Sequence, residues 1–400
     1  MMAAMDDPRI EDADHKGRFL SFKNFAWKEG SGISDVYPGF ILGDGVDDFA
    51  VTEKELNFED TYTVYTAFIP FQNNPTRDMI LCGADSKKTF SMQYSSLVYV
   101  SFIAGNNYYI NADFVNGLNL FACKRNGNNI YIKNLLTNKV VTGTCGDWVE
   151  NAGLYYLWKN ATYASFARAA IAGQTICNGY YSTDEDDEKV LNWYKKQYPW
   201  LFLDQAWTVT GKTNEDEDRA TIANITGNGN DLVLSNLGFI EGSGYNEEGE
   251  YAGYLVTDGV DDKIVSSSFE MGKDFTIVGD WKFIDNKKSG TGLVKGSSFY
   301  IYNTMIGLDL YINSGSVKNS LDGIKSINAA CSDGRAYDRN WNEILANTGN
   351  VVGSGGMLEV SSSGGRFDRI AFKNLAIYLR ILSKDDCIKA YNYLQTLKSK

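Results

Sequence analysis

The pentapeptide Asp44, Gly45, Val46, Asp47, Asp48 returns 214 positions later as Asp258, Gly259, Val260, Asp261, Asp262. Its surroundings return with it. Asn24, Phe25, Ala26, Trp27, Lys28, Glu29, Gly30, Ser31, Gly32 aligns with Asn236, Leu237, Gly238, Phe239, Ile240, Glu241, Gly242, Ser243, Gly244, and Tyr62, Thr63, Val64, Phe68 with Phe275, Thr276, Ile277, Trp281. Nearer the copy ends, Phe166, Arg168, Ala170, Ile176, Ser182, Asp184 matches Phe367, Arg369, Ala371, Ile377, Ser383, Asp385 at an offset of 201. Self-similarity on this scale means two copies of a whole domain rather than a solenoid of small units. The shrinking offset places extra residues in the later loops of the first copy, where longer connections cost little.

The 400 residues then divide into a first domain over 1–197, an aromatic then acidic joining segment over 198–218, and a second domain over 219–400. Aromatics at 14%, with 39 Gly and only 5 Pro, suit short strands joined by glycine turns. Apolar alternation predicts strands over Thr61–Ile69, Phe90–Tyr94, Leu97–Ile103, Tyr108–Phe114, Asn129–Lys133, Phe275–Phe283, Phe299–Tyr302 and Gly307–Ile312. Each copy closes on a helix signal. Ser182 and Thr183 precede the acidic run Asp184 to Glu188, and Ser383 precedes Asp385 and Asp386. The expected fold is all-β, two tandem antiparallel sandwiches, each ending in a short helix. The aromatic half of the joining segment, with Trp200 and Trp207, is expected to pack against a domain.

A net charge of −12 and the lack of a basic stripe argue against a nucleic-acid partner. Met1 to Lys16 is polar and no run of about 18 apolar residues occurs, so neither a secretory leader nor membrane insertion is expected. The six cysteines lack CxxC spacing and are not matched between copies, which reads as reduced, mostly buried thiols, with a Cys123–Cys145 pair left open. His15 is the sole histidine, so a histidine-based triad or zinc site is not expected.

The Asp-Gly-Val-Asp-Asp phrase opening a strand, the step Leu293, Val294, Lys295, Gly296 before Phe299, and the closing Phe367, Arg369, Ile370, Ala371 strand leading through Ala376, Ile377, Tyr378, Leu382, Ser383 to a helix carry a resemblance. Together they resemble a laminin G-like module of the concanavalin A-like jelly-roll class. The first copy departs from the pattern, with Cys177, Asn178, Gly179 in place of Tyr378, Leu379, Arg380. The junction Pro199 to Thr213 with Ile225 to Leu232 is similar to junctions in virion proteins of tailed phages of gut bacteria.

In some laminin G-like relatives such acidic phrases hold calcium, which implies Asp47, Asp48, Asp261 and Asp262 as ligands. The residues by themselves favour a turn instead. Asp44 and Gly45 would form it, Val46 would point inward, and Asp47 or Asp48 would bond loop amides. No cofactor is then required. Paired strand carboxylates for glycoside hydrolysis are not evident, because the dense acids sit in the joining segment and at a helix start. For glycan contact the candidates are loop aromatics, Tyr108, Tyr109, Trp148, Trp158 and Trp341.

The resulting expectation is a non-enzymatic virion structural or adhesive protein, a decoration, fibre or tail component. It would be assembled in the host cytoplasm and displayed on the virion surface. Its partners would be other virion proteins, host-surface polysaccharide, and further copies of itself. A free bacterial glycan-binding protein is the alternative, and a polysaccharide-degrading enzyme the remoter one.

Overall fold

The computed structural model describes residues 9–11, 19–29, 31–34, 36–71, 79–84, 91–94, 99–103, 109–113, 117–147, 152–159, 166–284, 291–295, 299–303, 307–312, 320–322, 327–345, 354–360, 362–363, 366–367 and 369–399. His15 lies outside them. Among the described residues the chain is mostly β, with antiparallel sheets and two α-helices, α1 (Asp184–Gln197) and α2 (Lys384–Leu394). It divides into two compact units, Met1–Gln197 and Tyr198–Lys400.

In the first unit one sheet runs in the order Arg9–Glu11, Phe19–Lys23, Phe49–Thr52, Tyr155–Leu157, Met79–Ala84, Ser91–Tyr94, Tyr99–Ile103, Tyr109–Asp113. The other runs Lys139–Thr144, Asn129–Asn134, Asn119–Asn126, Thr61–Pro70, Arg168–Asn178, Ile41–Asp44. Their inward residues form one core, with Phe22, Ala50 and Leu157 from the first sheet meeting Val64, Phe68, Phe121 and Ile132 from the second. That is a sandwich, built from period-two burial of the kind seen along Asn129–Asn134. In the second unit Trp281, Ile277, Phe372, Leu375 and Ile377 of one sheet pack on Leu232, Leu234, Ile264, Leu358 and Val360 of the other. Trp281 and Phe68, aligned by the repeat, are both core residues.

The joining segment is part of the second unit. Gln205–Thr208 adds to Ile370–Tyr378 as an antiparallel strand, and Trp200 and Trp207 are buried. Arg380 holds the turn before it, donating to Asp204 at 2.9 Å and to the carbonyls of Pro199 and Phe202, while the Tyr378 hydroxyl donates to the Trp200 carbonyl at 2.8 Å. In the first unit Asn178 bonds instead to the Glu59 amide and the Asn57 carbonyl. The missing tyrosine and arginine therefore mark a different tie at the same strand end.

Each helix is fastened to its sheet by the same joint. Thr183 and Asp186 form a reciprocal capping box on α1, and Ser383 accepts the Asp386 amide on α2. Thr63 accepts from the Ser182 amide and donates to the Tyr180 carbonyl; Thr276 does the same with the Leu382 amide and the Arg380 carbonyl. Beside Thr63 stands Lys124, buried, with its ammonium 2.8 Å from Asp187 in α1 and 3.1 Å from the Ser182 carbonyl. Asp187 also accepts from Tyr65 at 2.8 Å and lies 3.4 Å from Lys133. The helix caps Thr183 and Ser383 are equivalent, one residue off the sequence alignment of Ser182 with Ser383, so beside Thr276 the corresponding strand and helix positions hold Cys331 and Cys387, both buried thiols. The cysteines thus match, position for position, an ion pair in the other unit.

The ion pair is buried enough that losing one partner strands the other. Asp187→Ala is expected to cost about 3–5 kcal/mol in urea unfolding of the full chain, whereas Lys124→Met with Asp187→Leu recovers most of it.

Candidate functional site

The two Asp-Gly-Val-Asp-Asp phrases fold into the same turn with the same neighbours. Asp44 ends the Ile41–Asp44 strand, and its Oδ1 accepts the Val46 amide at 2.7 Å and the Asp47 amide at 3.3 Å; in the second unit Asp258 accepts the Val260 amide at 2.7 Å. These are Asx turns, in which the side chain replaces a backbone acceptor. Gly45 (φ 79°) and Gly259 (φ 76°) occupy the left-handed region, and a Cβ on Gly45 would lie 2.8 Å from that of Arg168. Val46 is 71% and Val260 67% exposed. The valine expected to point inward is therefore a solvent-facing tip, because the Asx turn rolls the chain outward before the next strand begins.

The last aspartate of each phrase is the anchor. Asp48 and Asp262 are fully buried. Asp48 Oδ2 accepts the Ser31 hydroxyl at 2.8 Å and the Asp44 amide at 3.0 Å, and Asp262 Oδ2 the Ser243 hydroxyl at 2.9 Å and the Asp258 amide at 2.8 Å. The serine hydroxyls in turn accept the Ala26 and Gly238 amides, both at 2.9 Å. Asn24 and Asn236 cross back to the Asp47 and Asp261 carbonyls at 3.0 and 3.1 Å. Even the strained backbone is shared: Asn24 and Asn236 have φ of 69° and 68°, and Trp27 and Phe239 both 52°.

This arrangement gathers Asp44, Asp47 and Asp48, and likewise Asp258, Asp261 and Asp262, so that one carboxylate oxygen of each lies within 4.8 Å of the others. Burial pushes the Asp48 carboxyl up, against the bonds from Ser31 and the Asp44 amide and helped by the charges of Asp44 and Asp47; Asp262 is raised in the same way. Asp48 Oδ1 is buried and meets no hydrogen-bond donor among the described residues. A buried carboxylate oxygen without a donor is costly, and in a trio of acids it suits a hard cation, which seeks several oxygen ligands.

Of the aromatic candidates, Tyr108 and Trp148 lie outside the described residues. Tyr109 pairs with Ile103 at a strand edge. Trp158, expected on a loop, is buried in the core: it donates its indole N–H to the Ala169 carbonyl at 2.8 Å and stands edge-on to Phe25. Its ring also fills the space above Gly43, where a Cβ would come within 2.3 Å. Trp341 is half-buried in a turn centred on Asp338, edge-on to Tyr391 at 5.6 Å. It is far along the chain from either acidic turn.

An aromatic group absent from those candidates adjoins the first acidic turn. Phe49, directly after Asp48, groups with Tyr156 and Phe166 at centroid distances of 6.3 and 6.4 Å, all half-buried. Lys159 holds its ammonium 4.3 Å above the Phe49 ring. In sequence only Phe166 carried a signal, through its repeat match; Phe49 and Tyr156 meet by strand pairing.

No family model matches the chain, and no curated relative does. Among solved structures, a botulinum neurotoxin serotype D binding domain overlaps it at 9% identity, covering 92% of each chain, with a TM-score of 0.39. A botulinum neurotoxin type C structure overlaps at 9% identity over 92% of this chain and 86% of that one, TM-score 0.37. The sialidase of Trypanosoma rangeli overlaps at 9% identity over 78% and 62%, TM-score 0.37. At this identity and these scores the overlap carries no inference about family or ligand.

Two outcomes follow from the turn itself. Gly45→Ala is expected to destabilise the first unit by more than about 1 kcal/mol, from the left-handed φ and the contact with Arg168. The raised pKa of Asp48 works against the fold when the group is charged, so its favourable contribution is present below the unfolded value of 3.8 and is lost as pH rises through the folded one. In calcium-free buffer the stability of the wild type relative to Asp48→Asn is therefore expected to rise as pH falls from 7 toward 4, read by denaturant unfolding at each pH.

Proposed function

We propose that this chain is a non-enzymatic glycan-binding protein of two laminin G-like, jelly-roll modules, each holding one calcium ion at its acidic turn. The observation that carries the reading is the duplicated turn: three convergent carboxylates, a fully buried anchor aspartate and an outward valine tip, set with the same partners in both units. Asp44, Asp47 and Asp48 would hold the ion in the first unit, and Asp258, Asp261 and Asp262 in the second. A bound ion would offset the carboxylate repulsion and offer open coordination positions to the hydroxyls of a sugar. Weak sites multiplied by many copies on a surface give useful avidity.

Display on a phage particle is the setting we favour, supported by the junction over 199–232, and free bacterial glycan binding is its alternative. The non-enzymatic reading draws on the sequence, whose dense acids lie in the joining segment and at a helix start.

Millimolar calcium is expected to raise Tm of the full chain by several degrees, and Asp47→Asn with Asp261→Asn to abolish the rise. Polysaccharide retention on affinity gels should fall with chelator, and no reducing ends should be released. Calcium-independent Tm and retention would overturn the metal-assisted reading, and release of reducing ends the non-enzymatic one.

A further inference from the structure

The two acidic turns are alike, but what lies beside them is not. Immediately after the anchor aspartate the first unit has Phe49 and the second Lys263. Three residues beyond each anchor, Val51 pairs with Tyr156 and Val265 with Glu359. Two residues before the arginine that packs on the turn glycine stand Phe166 and Phe367. Among the described residues the first unit therefore groups three half-buried rings on the strand that leaves its turn, whereas the corresponding positions of the second hold a lysine, a glutamate and one ring, with Lys263 5.7 Å from the Phe367 centroid.

Resting on the glycan-binding reading above, we propose that only the first unit is the binding module: Phe49, Tyr156 and Phe166 form the platform that takes one face of a pyranose ring of a polysaccharide, beside the ion held by Asp44, Asp47 and Asp48. The negative faces of the rings attract the electropositive C–H bonds that line the flat side of a pyranose. Lys159 rests on this platform at 4.3 Å from Phe49, 5.9 Å from Tyr156 and 5.8 Å from Phe166. An ammonium so placed shields the rings from water in the free protein, and its flexible stem lets it move aside to hydrogen-bond a sugar oxygen. Among the described residues the second unit keeps the turn and lacks the platform, so an ion held there serves the fold of its own rim.

The two units supply the test, because each side chain in question already has a version of the fold that accepts its counterpart. The full chain in calcium is run on affinity gels containing a neutral β-glucan, a mannan or a polygalacturonate. Phe49→Lys with Tyr156→Glu is expected to lower affinity for whichever polymer retains the wild type by at least about tenfold, a loss of about 1.4 kcal/mol, with Tm held within a few degrees. Lys263→Phe with Glu359→Tyr should increase retention. If the wild type is retained and the first pair of changes leaves affinity within twofold, the platform is wrong while the glycan reading stands. If no polymer retains the wild type, both fall. A pair of changes that unfolds the protein is replaced by Lys159→Ala with Phe166→Leu, for which the same tenfold loss is expected and an unchanged affinity again overturns the platform.

Discussion

A carboxylate buried under a turn is the contact on which each unit depends. Asp48 and Asp262 each take a hydroxyl from one loop and an amide from another, and that loop is closed in turn by the same serine oxygen accepting a backbone amide. Removing a carboxylate from water is expensive, so such a residue persists only where its partners hold it firmly. The reward is positional. One side chain fixes the loop from Asn24 to Gly32 against the end of a core strand, and the rim of the sandwich inherits the rigidity of its centre.

The second fastening, between helix and sheet, shows how a duplicated fold tolerates different chemistry at one point. Lys124 with Asp187 and Cys331 with Cys387 fill the same joint beside the same threonine bonds. The ion pair needs Tyr65, Ser182 and Lys133 around it, since a buried charge with open valences would be unstable. Two thiols need no such escort. Their small size and modest polarity suit a site where the strand neighbour is Val278 rather than a tyrosine.

Much of this architecture was legible in the chain. Alternation marked strands such as Thr61–Pro70 and Thr276–Phe283 to within a residue at each end, and the acidic runs after Ser182 and Ser383 marked both helices, since caps and early acids act through local backbone groups. The site was less legible. The acidic phrase was visible, but Val46 was assigned inward because alternation was carried through a turn that breaks it. Trp158 read as a loop aromatic because nothing local says that a residue in the left-handed region will fold its ring back over Gly43. Phe49, Tyr156 and Phe166 meet only by the pairing of Val51 with Tyr156 and the contact of Phe166 with Phe49, contacts spanning about a hundred positions.

The sequence alone determined the duplication, the β-rich character of each copy, the closing helices and the acidic phrase, because repeat, periodicity and capping are written in short stretches of chain. The tertiary structure decided which aspartates are buried, that the valines are bare, which rings group beside the strand after the turn, and that the segment from Tyr198 onward belongs to the second unit. Those outcomes hang on which strands pair and in which register. Local sequence constrains that choice weakly, and the burial of a whole core settles it.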